Sequence, residues 1–269
     1  VIARVRGLES IHRLPTRSIH LAEAPPAAAQ TSSGESERPR LSIVPLKNPA
    51  GGVPGSGLFD WSSPARVARW AFDPSHCASA SWTFDDRFLY LGFRSVKDST
   101  PMINLGKDPT RLFKTGDCLV FELGRSRSGE TSTFQEGDLR LLLSVYQGKP
   151  IAVLYRYREP GVREPVEFAS PIGVTRIDRV ERIAEARVEW EREGGGYSLY
   201  AAIPLAALGV HPVPGSVYRG DFGVIYSDPT GTGDQLRMFW ANRRTGMVSD
   251  LATEAAIDPS QWGLFSIER

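Results

Sequence analysis

The chain has 269 residues, with 32 Lys and Arg against 31 Asp and Glu and a formal net charge of +1. That balance leaves no electrostatic footprint for nucleic acid or another polyanion, and no apolar run approaches the roughly 18 residues of a membrane span. The 26 Gly and 20 Pro, with short apolar runs between them, follow the all-β pattern.

In chain order, residues 1–21 are expected to form a short strand at Val1–Arg6 or the end of an upstream domain. A start at Val1 without Met is expected of a mature or truncated end. Ala22–Arg40, AEAPPAAAQTSSGESERPR, has almost nothing to bury and reads as a linker, either a tail or a tether to a larger parent protein. The remaining residues, 41–269, are expected to fold as one antiparallel β-sandwich of two sheets. Leu41–Leu46 reads as a short strand and Asn48–Gly57 as a loop. Trp61, Trp70 and Phe72 mark apolar positions near the start of the sandwich. Ala78–Phe84 and Phe88–Val96 form a hairpin around Asp85 and Asp86, residue types suited to a turn.

Between Phe88–Val96 and the strand Cys118–Leu123 lies a polar loop of about twenty residues, long for a connection between strands and therefore a place for binding groups. Asp138–Tyr146 and Ile151–Tyr157 pair around Gln147-Gly148-Lys149. Leu139, Leu141, Leu143 and Val145 alternate with Arg140, Leu142 and Ser144, which predicts one well-buried face. Glu159–Asp178, rich in Pro and Gly, reads as an extended excursion. Ala186–Glu191 and Tyr197–Ile203 form a hairpin, Pro204–Leu208 a single helical turn closed by Gly209. Asp221–Ser227 pairs with Gln235–Ala241, and Gly263–Ile267 is a closing strand.

Trp82-x-x-Asp85-Asp86-x-x-Leu89-Tyr90-Leu91-x-Phe93-x-x-x-x-Asp98, then Gly116-Asp117 before an apolar strand, then Gly196-Tyr197-Ser198-Leu199-Tyr200-Ala201-Ala202-Ile203-Pro204, occur in this order. With Asp221-Phe222-Gly223 and Arg237-Met238-Phe239-Trp240 they resemble family 9 carbohydrate-binding modules and the wider DOMON-like group, over roughly residues 44–269. Two positions depart from the pattern. Tyr200 stands where the family usually carries Glu, and Phe113 where a sugar-binding Trp is often found. The resemblance implies a non-catalytic domain that binds a glycan or oligosaccharide, appended to a larger secreted, periplasmic or cell-surface protein.

The resemblance also puts the sugar site where the Asn104–Thr115 loop meets the strand Arg237–Ala241, with Trp240 and Phe113 as its two sandwiching faces. Arg237 has the planar fork that pairs with vicinal hydroxyls, and Asn104 and Asn242 add mixed donors and acceptors. Arg243 and Arg244 follow Trp240 in sequence. Trp82, Trp190 and Trp262 read as core, while Trp61 and Trp70 fit either role. Family 9 modules bind structural calcium, and hard oxygen ligands gathered by loops suit that ion. Asp98 and Asp108 are the expected ligands, with Asn104 and Asp117 in or beside the same loop and Asp228 and Asp234 in another.

Two alternatives stand beside sugar binding. One is a structural or protein-interaction sandwich without a sugar site. The other is a haem b electron-transfer domain of the DOMON-like kind, drawing axial ligands from Met102, Met238, His76, His211 or Lys114; against it, Met is scarce and a strand Met is ordinarily core. Asp85 and Asp86 form the obvious carboxylate pair for hydrolysis, yet adjacent turn residues point apart and their turn chemistry already explains them. His76 and Cys77 lack a third positioned group. Cys77 and Cys118 fit either a disulfide or two free thiols.

Overall fold

A computed structural model of the chain describes residues 38–125, 133–171, 173–243 and 252–269. The expected N-terminal strand and the linker up to residue 37 lie outside the described residues, as does Arg244, while Arg40, expected as the linker's last residue, lies in the first strand. In chain order the strands begin with β1 (Arg40–Ile43), β2 (Ala68–Asp73), β3 (His76–Phe84) and β4 (Phe88–Lys97). A short helix, α1 (Leu112–Thr115), precedes β5 (Cys118–Arg125), β6 (Leu139–Tyr146) and β7 (Lys149–Arg156). Then come β8 (Val166–Ser170), β9 (Gly173–Ile177), β10 (Arg179–Arg182), β11 (Arg187–Glu193) and β12 (Gly196–Pro204). The chain continues with α2 (Leu205–Leu208), β13 (Val217–Ser227), β14 (Asp234–Phe239) and β15 (Gly263–Ile267).

Two sheets make the sandwich. One runs β1-β15-β13-β5-β6-β7-β10, with β14 also paired to β13; the other runs β11-β12-β4-β3-β2. All pairings are antiparallel except β1 with β15, which is parallel. Side chains alternate across each strand, so Trp82, Phe93, Leu199 and Ile203 of the smaller sheet meet Phe121, Leu141, Phe222 and Phe265 of the larger. Burying these apolar faces against each other is the main force holding the layers together.

The larger sheet is covered on its outer face as well. Leu142, Val153, Tyr155 and Ile225 pack there against Phe113 of α1 and against Phe168 and Ile177 of the β8–β9 hairpin. This overturns two expectations. Glu159–Asp178 is not a plain excursion but contains that hairpin, pinned by its two apolar side chains. β6 is buried on both faces, Arg140 and Ser144 included. The turn after β6 places Gln147 and Gly148 at φ 49° and 78°, the left-handed pair that fits a two-residue hairpin to the strand twist.

Trp190 is a third correction. It is 36 % exposed, because β11 is the edge of its sheet. Trp82 and Trp262 are core, as expected, and so is Trp70. Both thiols are free, Cys118 buried and Cys77 half-buried. Asp85 closes the β3–β4 turn: its carboxylate accepts the amides of Ala50, Arg87 and Phe88 and the Tyr90 hydroxyl. With four donors satisfied it is a turn anchor.

Candidate functional site

The residues expected to sandwich a sugar do not face one another. Trp240 is 6 % exposed and lies between the sheets, its ring 5.9 Å from Phe265 and parallel to within 7°. Phe113 is on the opposite face of the larger sheet, beside Phe168 at 5.6 Å and Tyr155 at 6.2 Å. Both rings are therefore packing residues. The sequence signal was ambiguous because a basic cluster after an aromatic marks a strand end as readily as a ligand site.

The loop and strand do meet, through charge. Glu254 accepts from Arg237 Nη2 and Lys114 Nζ, and Arg237 Nε lies 3.3 Å from Asp234. Arg237, Asp234 and Glu254 are all buried side chains, so Arg237 joins covering segments rather than presenting its fork outward. Asn104 is fully buried; its Nδ2 donates to the carbonyls of Leu112 and Asp117, and its Oδ1 accepts from Thr115. That side chain folds the long loop onto itself. Asn242 is buried too, its amide donating to Asp221.

The calcium ligands are divided as well. Asp108 accepts from the Thr110 amide and hydroxyl and caps the turn before α1. Asp98 accepts from the Thr100 amide, and burial raises its pKa. Asp117 accepts the amides of Ile103 and Ser227. Among the described residues no three His, Cys, Asp or Glu side chains gather as a metal would require. Three of the haem candidates also have other partners. Lys114 pairs with Glu254, His76 with Asp73, and Met238 packs in the core beside the Tyr226 hydroxyl.

Open, chemically varied surface is found instead on the outer face of the five-stranded sheet. Phe59, Phe88, Tyr90 and Tyr200 form a small apolar cluster there under the segment that ends at Trp61. Gly92 makes this possible: a Cβ at that position would fall 2.8 Å from Phe59 and 3.0 Å from Trp61. Trp61 is half-buried, tilted against Phe59 at 5.3 Å and edge-on to Tyr200 at 6.4 Å. Its Nε1 donates to the Ser56 carbonyl, and its backbone carbonyl accepts from Arg69.

The Arg94 guanidinium stands 5.7 Å from the Trp61 ring centre. β-register puts Glu189 opposite Tyr200, and Glu191 opposite Ser198, at the far side of the face. Tyr200, the departure from the expected Glu, thus helps support the Trp61 platform. An aromatic body flanked by planar polar groups is the combination that recognises a pyranose, C–H faces to the ring and hydroxyls to the fork.

No family model matches the chain, and no curated protein matches it. Among solved structures, the chain is similar to a family 9 carbohydrate-binding module from Caldicellulosiruptor kristjanssonii in complex with cellotriose. The identity is 15 %, over 86 % of this chain and 94 % of that one, with a TM-score of 0.46. It is also similar to a module of the same family and organism in complex with glucose, at 13 % identity, 86 % and 97 % coverage, and a TM-score of 0.45.

Proposed function

We propose that the chain is a non-catalytic carbohydrate-binding domain whose contact surface is the outer face of the five-stranded sheet around Trp61. The observation that carries this reading is the Trp61 indole seated on Gly92 with the Arg94 guanidinium beside it. The order of the sequence motifs supports it. The linker-like composition of Ala22–Arg40 fits a domain tethered to a larger extracellular protein.

A glycan array on the chain tests the reading. Bound glycans are expected, and Trp61→Ala is expected to remove them. Loss of a stacking aromatic costs about 2 kcal/mol or more, roughly thirtyfold in affinity. Because Trp61 covers the sheet from outside the sandwich core, the variant is expected to keep its β-sheet circular dichroism. An array without hits, repeated at high glycan density, would reject sugar binding and favour a protein-interaction role.

A further inference from the structure

We infer that this face selects acidic glycans, holding a uronate carboxylate or a sulfate ester between Arg69 and Arg94. The inference rests on the carbohydrate-binding reading above and adds the substrate class. Register pairs Arg69 with Ser79 and Ser79 with Arg94, across β2, β3 and β4. The neighbours Trp70, Ala80 and Phe93 all point into the core. Strand alternation therefore turns Arg69, Ser79 and Arg94 outward in one row. Strands lie about 4.8 Å apart, so the two arginine backbones are roughly 10 Å apart with the Ser79 hydroxyl between them.

These two guanidiniums are uncompensated. Among the described residues Arg94 makes no hydrogen bond or ion pair; its one contact of note is the Trp61 ring. Arg69 donates one N–H to the Trp61 carbonyl and forms no ion pair among the described residues. Elsewhere on the surface Arg66, Arg111, Arg156, Arg158 and Arg176 each lie within 3.7 Å of a carboxylate oxygen; Arg87, Arg163, Arg182, Arg187 and Arg192 also form no ion pair among the described residues, but Arg69 and Arg94 are the two that contact Trp61. Both are exposed, which leaves their forks available for bidentate pairing with an oxyanion.

The rest of the face gives direction. Glu189 and Glu191 project from β11, two strands beyond Arg94, and Glu193 accepts from the Ser198 hydroxyl. Arg187 projects from β11 on the same face, donating to the carbonyls of Gly51 and Gly52, so the β11 side carries one arginine against three glutamates and repels an anion that the β2–β4 side attracts. A sugar ring on Trp61 would carry its acidic group toward Arg69 and Arg94, with neutral hydroxyls toward the glutamates. The net charge of +1 hides this local polarity because arginine predominates at the β2–β4 side and glutamate on β11.

Titration calorimetry with three hexasaccharide probes tests the inference: hexagalacturonate, which carries carboxylates only; a κ-carrageenan hexasaccharide, which carries sulfates only; and cellohexaose, which is neutral. At least one acidic probe is expected to bind tenfold or more tightly than cellohexaose, the preference shrinking as salt is added. The two acidic arms tell carboxylate from sulfate. Arg69→Gln with Arg94→Gln is expected to erase that preference while leaving the melting temperature in place. Equal or tighter binding of cellohexaose, or an acidic preference that survives the double substitution, overturns the inference and leaves the carbohydrate reading standing. A Trp61-dependent hit elsewhere on the glycan array with none of the three probes bound also overturns it. No binding to any glycan overturns both.

Discussion

Trp61 rests on Gly92, so closely that the missing Cβ is what lets the indole reach the sheet. Tyr200 and Phe59 complete the support, the latter two rings stacked at 6.3 Å. The aromatic platform is thus built by one absent side chain in β4 and one large one in β12. Gly92→Val is expected to push Trp61 and Phe59 off the sheet. Overpacking of this kind costs about 1–3 kcal/mol, and glycan binding should fall with it. Tryptophan fluorescence offers a direct check: Trp61 should become more solvent-exposed, so quenching by acrylamide should rise. An unchanged quenching curve would detach the platform from Gly92.

Trp240 makes the opposite prediction to that of a ligand-binding aromatic. Packed flat on Phe265 and near Phe222, it is held inside the sandwich. Trp240→Ala is expected to lower unfolding free energy by about 3–5 kcal/mol, the range for large aromatic truncations in cores. Denaturant titration reads this directly. If stability stays within about 0.5 kcal/mol of the parent, a surface position, Trp240 is not a core residue.

Burial raises the Asp117 carboxyl from its ordinary 3.8 to about 7, with the Asp98 charge adding to the effect and the amides of Ile103 and Ser227 opposing it. The folded state then holds a proton that the unfolded chain releases at lower pH. Stability from this group is fully present below about pH 4 and falls as pH rises to about 7. Each tenfold change in proton affinity corresponds to about 1.4 kcal/mol, so the slope is measurable. In Asp117→Asn the decline between pH 5 and 7.5 should flatten, although the variant starts less stable because one amide donor loses its acceptor. Parallel slopes in the two proteins would show that Asp117 does not titrate in that window.

The sandwich was legible in the sequence because period-two patterning is a direct projection of burial: β3, β4, β12 and β15 fall close to their expected spans. What the pattern concealed was the second covering layer. Leu142 looks like the outer side of a half-buried strand until Phe168 and Ile177, far along the chain, close over it, and Ser144 until it donates to the Asp117 carbonyl. The Trp61 platform was hidden for a similar reason. Trp61 and Arg94 are separated by a strand pair, and only the register of β3 and β4 with the bare Cα of Gly92 brings them together. Basic residues neighbour Trp240 in sequence, but successive side chains of an extended segment point to opposite faces.

Glu122 and Arg140 form a fully buried pair between β5 and β6, with Nε 3.4 Å from Oε1. Asp221 is the next residue across the sheet from Glu122. Burial and the Asp221 charge push the Glu122 carboxyl up, and the Arg140 guanidinium opposes them. Arg140 also donates to the carbonyls of Glu254 and Ala255 and stands 5.6 Å over Phe113, so it fastens the covering segment to the sheet. Removing one member of a buried pair typically costs about 3–5 kcal/mol, because the other charge is left in low dielectric. Glu122→Leu should fall in that range. Arg140→Met should cost more, since two backbone carbonyls lose their donor as well. Replacing both with apolar residues of similar volume removes both desolvated charges, so the double variant should be more stable than Arg140→Met alone. A double-mutant cycle by urea denaturation measures the coupling. Additive losses, with no recovery in the double variant, would mean that the two charges do not depend on each other and that Arg140 acts solely as a clamp on the carbonyls of Glu254 and Ala255.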